Sequence, residues 1–212
     1  MSAKGITTSK ILEVSEKLFV EQGYSNTSLR NITAKASVNL AAVNYHFGDK
    51  KTLVRAILDR YLTKLMPEVD SELIKLNQST TYTLEEVFYA IRRPLINLNQ
   101  VTPNGMNRFL LLIANGYMDI QGHLRWFIVN QYGDTLDLFI NSVRKSCPEI
   151  SDQDLFWKLH FSLGAFIFAT ISSEALSELA SSSFENDAKL IHIVDQAINY
   201  ITAGIEKPNK TT

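Results

Sequence analysis

Cysteine is almost absent from this chain, because Cys147 is the only one among its 212 residues. A single cysteine excludes an intrachain disulfide and leaves no cysteine pair for a metal. The first ten residues, MSAKGITTSK, also lack the apolar segment of a secretion signal. We therefore expect a cytoplasmic protein.

Motifs for catalysis are missing as well. The sequence has no His-Glu-x-x-His pattern and no glycine-rich phosphate loop. Its four histidines are far apart and fall on different predicted helices. We predict no enzymatic activity, no bound metal and no cofactor.

Strand patterns and glycine turns are rare beyond residue 67, which favours an all-α fold. Residues 155–171 are apolar nearly all round a helix, as in a membrane span. The charge-free run between Lys158 and Glu174 is only 15 residues long, short of the roughly 20 that a span needs. We expect this helix to be buried inside protein, with no membrane partner.

Positive charge is concentrated near the N-terminus, although the net charge is only −1. Residues 1–60 hold nine Lys and Arg against five Asp and Glu, and residues 61–212 hold twelve against seventeen. This division is typical of a basic nucleic-acid-binding head on an acidic body. Chance unevenness among few charges is the alternative.

The stretch from Thr27 to Lys51 has the layout of a helix-turn-helix. Thr27 is a candidate N-cap for a helix over residues 28–35, whose apolar positions recur at helical spacing. A turn follows at residues 37–38. Asn39 can then cap a second helix over residues 40–46, in which Val43 and Phe47 point to the core.

The outward face of that second helix is small and polar, with two alanines beside Asn, Tyr and His. Such a face suits the major groove, where small residues allow close approach and polar groups reach base edges or phosphates. Gly48 ends the helix and Asp49 can cap the next one. Lys50 and Lys51 then stand in a first turn, where the helix dipole disfavours cations and a phosphate would relieve the conflict. Two short amphipathic helices with a turn also occur in many other folds.

The order of residues in this stretch is more specific than the general spacing of a helix-turn-helix. The run KASVNLAAVNYHFGDKKTL resembles the DNA-binding signature of TetR-family transcriptional regulators, and the resemblance extends from about Ile11 to Ile57. Ser37 and Asn44 depart from the common Gly and aromatic residue at those positions. The wording VNLAAVNYHFGDKK is most similar to the PsrA-type, fatty-acid-responsive branch.

We therefore predict a DNA-binding set within this stretch. It comprises Thr27, Ser28, Arg30, Asn39, Leu40, Ala41, Ala42, Asn44, Tyr45, His46, Lys50 and Lys51.

The fold expected as a whole is a three-helix helix-turn-helix domain over residues 1–50, followed by a helical ligand-binding and dimerisation domain over residues 51–212. Residues 1–6 are expected to form a loose basic arm, and Pro67 to break the connecting helix over residues 50–65. A loop is expected at residues 181–183. About nine to ten helices are therefore expected. Besides the two short helices and the connecting helix, they cover residues 8–22, 68–77, 84–98, 104–118, 122–145, 152–179 and 186–206.

The last helix carries two adjacent apolar stripes. One can face the chain's own core, and the other would be exposed unless a second subunit covers it. We predict a homodimer through helices 152–179 and 186–206, as the resemblance to TetR regulators also implies. Two heads about one DNA turn apart would read a pseudo-palindromic operator in double-stranded DNA.

Aromatic and aliphatic residues of the second domain could line a pocket, with arginines at its edge for an anionic group. The alternative is that these aromatics only fill a core. The resemblance implies a regulator, usually a repressor, that releases DNA when a small hydrophobic effector binds, here a fatty acyl compound. The competing function is a lipid-binding or carrier protein without DNA binding. The predicted ligand set is Phe88, Arg92, Phe109, Ile113, Phe127, Gln131 and Phe166.

Overall fold

A computed structural model describes residues 3–118, 122–184 and 189–207 of the chain. Within those ranges it contains ten α-helices, one short 3-10 helix and no strand, which confirms the predicted all-α class. The helices are α1 (Ala3–Asn26), α2 (Leu29–Ala36), α3 (Leu40–Phe47), α4 (Lys50–Asn77), α5 (Leu84–Asn97), α6 (Gly105–Met118), α7 (His123–Ser146), α8 (Asp152–Ile171), α9 (Ser173–Phe184) and α10 (Leu190–Glu206), with the 3-10 turn at Leu98–Gln100.

The helices pack into two compact units. The first comprises the described parts of Met1–Lys64 and Gln100–Tyr132, and the second those of Leu65–Asn99 and Gly133–Thr212. Both α4 and α7 therefore contribute residues to each unit. This division concerns packing, and the functional division at residue 50 remains a prediction.

In the first unit α1 packs against α2 and α6. It begins at Ala3, so the expectation of a loose arm over residues 1–6 is wrong for the described residues from 3 onwards. The backbone leaves the helical region at Gly23, with φ 75° and ψ 170°, close to the predicted helix end. A positive φ of this size is a conformation that glycine adopts without steric cost.

The predicted break at Pro67 is also wrong, because α4 continues through it to Asn77. Pro67 is exposed, whereas Leu65, Met66 and Val69 beside it are buried. A proline within a helix costs about 3 kcal/mol, and burying each large apolar side chain recovers roughly 1.5–3 kcal/mol. The buried face therefore holds the helix together through the proline.

The predicted helix over residues 152–179 is two helices in the structure. Ser172, with φ −89° and ψ 13°, ends α8, and α9 continues to Phe184, so no loop lies at residues 181–183. The amide of Ser172 donates to the carbonyl of Phe168, and the amide of Leu176 donates to the carbonyl of Ser172. The chain bends while keeping its backbone hydrogen bonds, which an apolar pattern does not reveal. Residues 185–188, in which the last helix was predicted to start, lie outside the described residues.

In the second unit α10 packs against α5, α8 and α9. Both of its apolar stripes are largely covered, since Ile193 and Ala197 are buried together with Val194 and Ile198. The expectation that one stripe would stay uncovered in a single chain is therefore wrong for these residues. The neighbouring helices α5, α8 and α9 cover these residues instead of a second subunit.

Several exposed apolar residues lie on α8, whereas the sequence predicts that this helix is buried inside protein. Trp157, Phe161 and Phe168 are each more than half exposed in the single chain. Only Leu155 and Thr170 of α8 are fully buried. The apolar character of this helix is therefore not explained by the chain's own core.

Candidate nucleic-acid interface

The first helix of the helix-turn-helix, α2, is capped by Ser28. Its Oγ accepts a hydrogen bond from the amide of Asn31 at 3.1 Å. Ile32 and Ala36 form the buried side of this short helix. Ser37 ends it in the left-handed region, with φ 51° and ψ 47°. Glycine adopts this conformation more readily than serine does. This is a physical reason for the Gly that is common at this position in the family that the stretch resembles.

The predicted capping role of Thr27 is wrong. Thr27 is only 1% exposed, and its hydroxyl donates within α1, to the carbonyls of Gly23 at 2.8 Å and Leu18 at 3.2 Å. A buried hydroxyl needs a partner, and Thr27 finds it in two carbonyls of α1. Thr27 therefore links the start of α2 to α1, and its side chain is buried in this structure.

The second helix, α3, is fixed at both ends and on one side. The Oδ1 of Asn39 accepts from the amide of Ala42 at 2.7 Å, as predicted. Gly48 ends the helix with φ 74°, and its amide donates to the carbonyl of Asn44 at 2.9 Å. Val43 and Phe47 are buried. Eight residues are too few for a stable isolated helix, so these anchors define its position.

The opposite side of α3 is open. Ala41 and Asn44 are exposed, as is Leu40, and Tyr45 projects furthest with 71% of its surface exposed. The Tyr45 ring meets that of His46 edge-on, with centroids 5.2 Å apart. This is the face that the sequence predicts to enter the major groove.

Ala42 and His46 are only half-buried at the edge of this face. The Nδ1 of His46 is hydrogen-bonded to the hydroxyl of Thr8 on α1, at 3.2 Å. His46 is thereby oriented by the chain itself. Of the two predicted polar readers at this end of α3, Tyr45 is the more available.

Lys50, which the sequence predicts to contact a phosphate, has partners within the chain. Its ammonium donates to the carbonyls of Tyr24 at 2.8 Å and Thr27 at 2.9 Å, and lies 4.1 Å from the centroid of the Tyr24 ring. These electron-rich carbonyls lie at the end of α1 and directly after it, so they relieve the conflict that a first-turn lysine has with its own helix dipole. Lys50 therefore fastens α4 to the end of α1.

Two further cations of the helix-turn-helix stretch remain at the surface. Arg30 and Lys51 are exposed. Asp49 caps α4, and its Oδ1 accepts from the amide of Thr52 at 2.7 Å. That hydrogen bond, followed by the one from the Thr52 hydroxyl, lowers the pKa of Asp49 below its ordinary value. The capping carboxylate is therefore charged at neutral pH.

The predicted ligand residues divide between the two units. In the first unit Phe109 is buried against the Tyr61 ring and Gln131 is exposed. Ile113 and Phe127 there are partly buried. Because Phe109 is buried against another aromatic ring, it fits the alternative that these aromatic residues fill a core.

In the second unit Arg92 is not a free cation. Its guanidinium makes a two-pronged ion pair with Asp195 of α10, at 2.5 and 2.9 Å. Phe88 is buried and packs edge-on against Phe139, while Phe166 on α8 is partly buried. An anionic effector would have to compete with Asp195 for this arginine.

An open apolar groove of about 470 Å³ does lie in the second unit, between α8, α9 and α10. None of the seven predicted ligand residues lines it. It is formed by Ala165, Phe168, Ala169, Leu176, Ala180, His192, Ile193, Gln196, Ala197 and Tyr200.

Two family models match the chain. Residues 11–57 match "Bacterial regulatory proteins, tetR family", and residues 89–204, more than half of the chain, match "Tetracyclin repressor-like, C-terminal domain". The chain belongs to the TetR family. This confirms the family that the helix-turn-helix signature indicated.

Curated relatives share the N-terminal part of this TetR-family chain. The HTH-type transcriptional repressor Rv3405c of Mycobacterium tuberculosis is 45% identical over 62 residues, 29% of this chain and 33% of that protein. The HTH-type transcriptional regulator TtgR of Pseudomonas putida is 38% identical over 53 residues, 25% of each. The matches thus span only a quarter to a third of these relatives' length.

Solved structures share the fold over nearly the whole TetR-family chain. A mutant of HlyIIR has a TM-score of 0.63 at 18% identity, covering 95% of this chain and 98% of that one. The TetR-family regulator PfmR of Thermus thermophilus has a TM-score of 0.51 at 16% identity, covering 93% and 99%. At such low identity the likeness concerns the fold alone.

Glu16 was missed by the sequence reasoning. It is 2% exposed on α1 and pairs with arginines of α4 and α6. The signal was present, because Glu16 stands one helical turn from Leu12 and Phe19, inside the apolar stripe rather than opposite it. A carboxylate on that stripe predicts a buried charge with partners elsewhere in the chain.

Lys50→Met should lower the free energy of unfolding by about 1–2 kcal/mol, because two charge-assisted hydrogen bonds to carbonyls are lost. Lys51→Met is the matched control, since it removes the same charge from the exposed neighbouring position. Urea denaturation of both variants at pH 7 measures the difference. Equal stability of the two variants would contradict the assigned role of Lys50.

Proposed function

We propose that this TetR-family chain is a DNA-binding transcriptional regulator that acts as a repressor, with α3 as its recognition helix. The observation that carries the proposal is that α3 is capped and anchored by Val43 and Phe47 while its other side stays open. Positive charge is concentrated in residues 1–60. Two relatives named above are a repressor and a regulator of the helix-turn-helix type.

Base reading in this proposal falls to Asn44 and Tyr45. An amide can pair with the edge of adenine, and the small Ala41 lets the helix approach a thymine methyl. Phosphate contacts come from Arg30 and Lys51, which position the head without reading sequence. We retain as contacts Ser28, Arg30, Asn39, Leu40, Ala41, Ala42, Asn44, Tyr45, His46 and Lys51, and omit Thr27 and Lys50.

The proposal includes a homodimer in which α8 is covered by its twofold copy. Trp157, Phe161, Gly164 and Phe168 recur at intervals of four, three and four residues, so they form one stripe along α8. The three aromatic residues are exposed, and a side chain added at Gly164 would meet no neighbour within 4 Å. Covering an aromatic side chain is worth roughly 1.5–3 kcal/mol. A second copy presents the same stripe and can close against it.

A membrane is the other apolar environment that could cover this stripe. Among the described residues α8 is the one helix long and apolar enough to cross a bilayer. Lys158, however, lies within it and donates to the carbonyl of Ile205 at the end of α10. A charged contact to a neighbouring helix favours a protein partner over lipid.

We further propose a small hydrophobic effector of the fatty acyl class. The support is the likeness of VNLAAVNYHFGDKK to PsrA-type regulators, and the physical basis is a gain of about 0.8 kcal/mol for each CH₂ buried. Such a ligand changes DNA affinity only if it prefers one arrangement of the heads. Of the predicted ligand residues, those proposed to meet the effector are the three of the second unit, Phe88, Arg92 and Phe166, with Arg92 first released from Asp195.

Tyr45→Ala should weaken binding to a selected operator duplex by about tenfold, the usual cost of losing one base contact. Its affinity for an unrelated duplex should change little, because phosphate contacts remain. Fluorescence anisotropy at fixed salt measures both, and Tyr89→Ala on α5 is the control. If Tyr45→Ala binds the operator as tightly as the wild type, α3 is not the reader.

Phe161→Glu should convert the dimer into a monomer, because it places a charge in the middle of the α8 stripe. Ile74→Glu is the control, since Ile74 is a similarly exposed apolar residue on α4. Light scattering at micromolar concentration gives the mass of each. A wild-type protein with the mass of one chain, or a dimeric Phe161→Glu variant, would refute the proposed interface.

Oleate or its CoA thioester should lower operator affinity at concentrations below micelle formation. Methyl oleate is the matched control, since it keeps the chain and lacks the negative charge that an arginine would bind. The measurement is operator anisotropy during titration of each compound. Unchanged affinity at saturating doses of both acyl anions would remove the acyl proposal while leaving DNA binding intact.

A further inference from the structure

A buried carboxylate joins three helices of the first unit. Glu16 on α1 accepts hydrogen bonds at Oε1 from the hydroxyl of Tyr61, at 2.7 Å, and from Arg108, at 3.0 Å. Its Oε2 accepts from Arg60 at 3.3 Å. Tyr61 and Arg60 belong to α4, and Arg108 belongs to α6. Glu16, Arg60, Tyr61 and Arg108 together are called the Glu16 junction below.

The junction fixes geometry more strictly than apolar packing does. The side chain of Glu16 is 3% exposed, so its charge must be matched by well-placed donors. The two arginines reach it from the edge, where 31% and 35% of their side chains remain exposed. Burial, and after it the hydrogen bond to Glu16, raises the pKa of Tyr61, so the phenol stays protonated as a donor. Helices joined in this way cannot slide without breaking charge-assisted hydrogen bonds.

Helix α1 also supports the helix-turn-helix formed by α2 and α3. It packs against α2, and the carbonyls near its end accept from Thr27 and Lys50. The hydroxyl of Thr8 holds His46 of α3. A shift of α1 would therefore move α2 and α3 with it.

A second contact ties α1 to α6. The Nδ2 of Asn115 donates to the carbonyl of Phe19 at 3.3 Å. Asn115 stands two helical turns beyond Arg108, and Phe19 one turn beyond Glu16. Among the described side chains, α1 and α6 are thus joined by this uncharged contact as well as by the charged Glu16 junction.

We propose that Glu16 is a positioning residue for DNA binding, which sets the place of the recognition helix by holding α1 to α6 through Arg108. The inference rests on the proposed function, because its readout is operator affinity. Glu16 is buried and cannot contact a duplex. Apart from the general effect of the lost charge, which an exposed control shares, any change in DNA affinity on its substitution must therefore pass through the position of α1.

Glu16→Gln tests this with little change of shape, and Glu13→Gln is the matched control. Glu13 stands one turn earlier on α1, is exposed, and loses the same charge. Removing a negative charge should by itself strengthen DNA binding slightly. The proposal predicts the opposite for Glu16→Gln, an operator affinity about tenfold weaker, in the usual range for coupled sites.

Arg108→Gln provides the second arm, with Arg125→Gln on α7 as its control for a lost exposed cation in the same unit. Arg108→Gln should weaken operator binding by a similar factor beyond its control. The double variant Glu16→Gln/Arg108→Gln should lose no more than either single variant, because both break one link. Every affinity is measured where circular dichroism shows each variant fully folded and light scattering gives the wild-type mass.

Folded variants that bind the operator as their controls do would reduce the junction to an ordinary structural ion pair and overturn the inference. Losses that add in the double variant would overturn it as well. If Glu16→Gln does not fold, Arg108→Gln against Arg125→Gln decides alone, because Arg108 lies at the edge of the junction. A wild-type protein that binds no duplex would instead refute the proposed function.

Discussion

Two buried side chains, Val43 and Phe47, hold the helix on which the DNA-facing geometry depends. An isolated helix of eight residues is unstable in water, so α3 exists because one side is packed and its start is capped by Asn39. The same anchoring turns the other side of α3 to the surface, where Ala41, Asn44 and Tyr45 are exposed.

Polar side chains around α3 link it and its neighbouring helices to one another. Polar residues that look free in the sequence, such as Thr27 and Lys50, are used to fasten one helix to the next. Within the first unit, Glu16 likewise links α1 to α4 and α6. The head is thus joined to its supporting helices by directional polar contacts, and the residues left outside form a small, defined set.

Local signals predicted the helix-turn-helix well. Caps, helical spacing and the glycine at residue 48 depend on neighbours in sequence, and the structure places Asn39, Val43 and Phe47 as predicted. Contacts between distant residues were not accessible in this way. The spacing near Lys50 could not reveal that carbonyls at residues 24 and 27 lie within reach, and the proline rule could not weigh Pro67 against the buried face of α4. Likewise, the apolar character of α8 indicates that something covers it, but the identity of that cover depends on a second molecule.

In the proposed complex α3 enters the major groove of a duplex as one of a symmetric pair. Selection of bound sequences from a random duplex pool tests this pairing. An inverted repeat should be enriched whose half-site centres lie about 10 base pairs apart, or a multiple of that spacing, because the two copies of α3 must reach the same face of the duplex. Recovery of no enriched sequence, or of a lone half-site without a spaced partner, would contradict it.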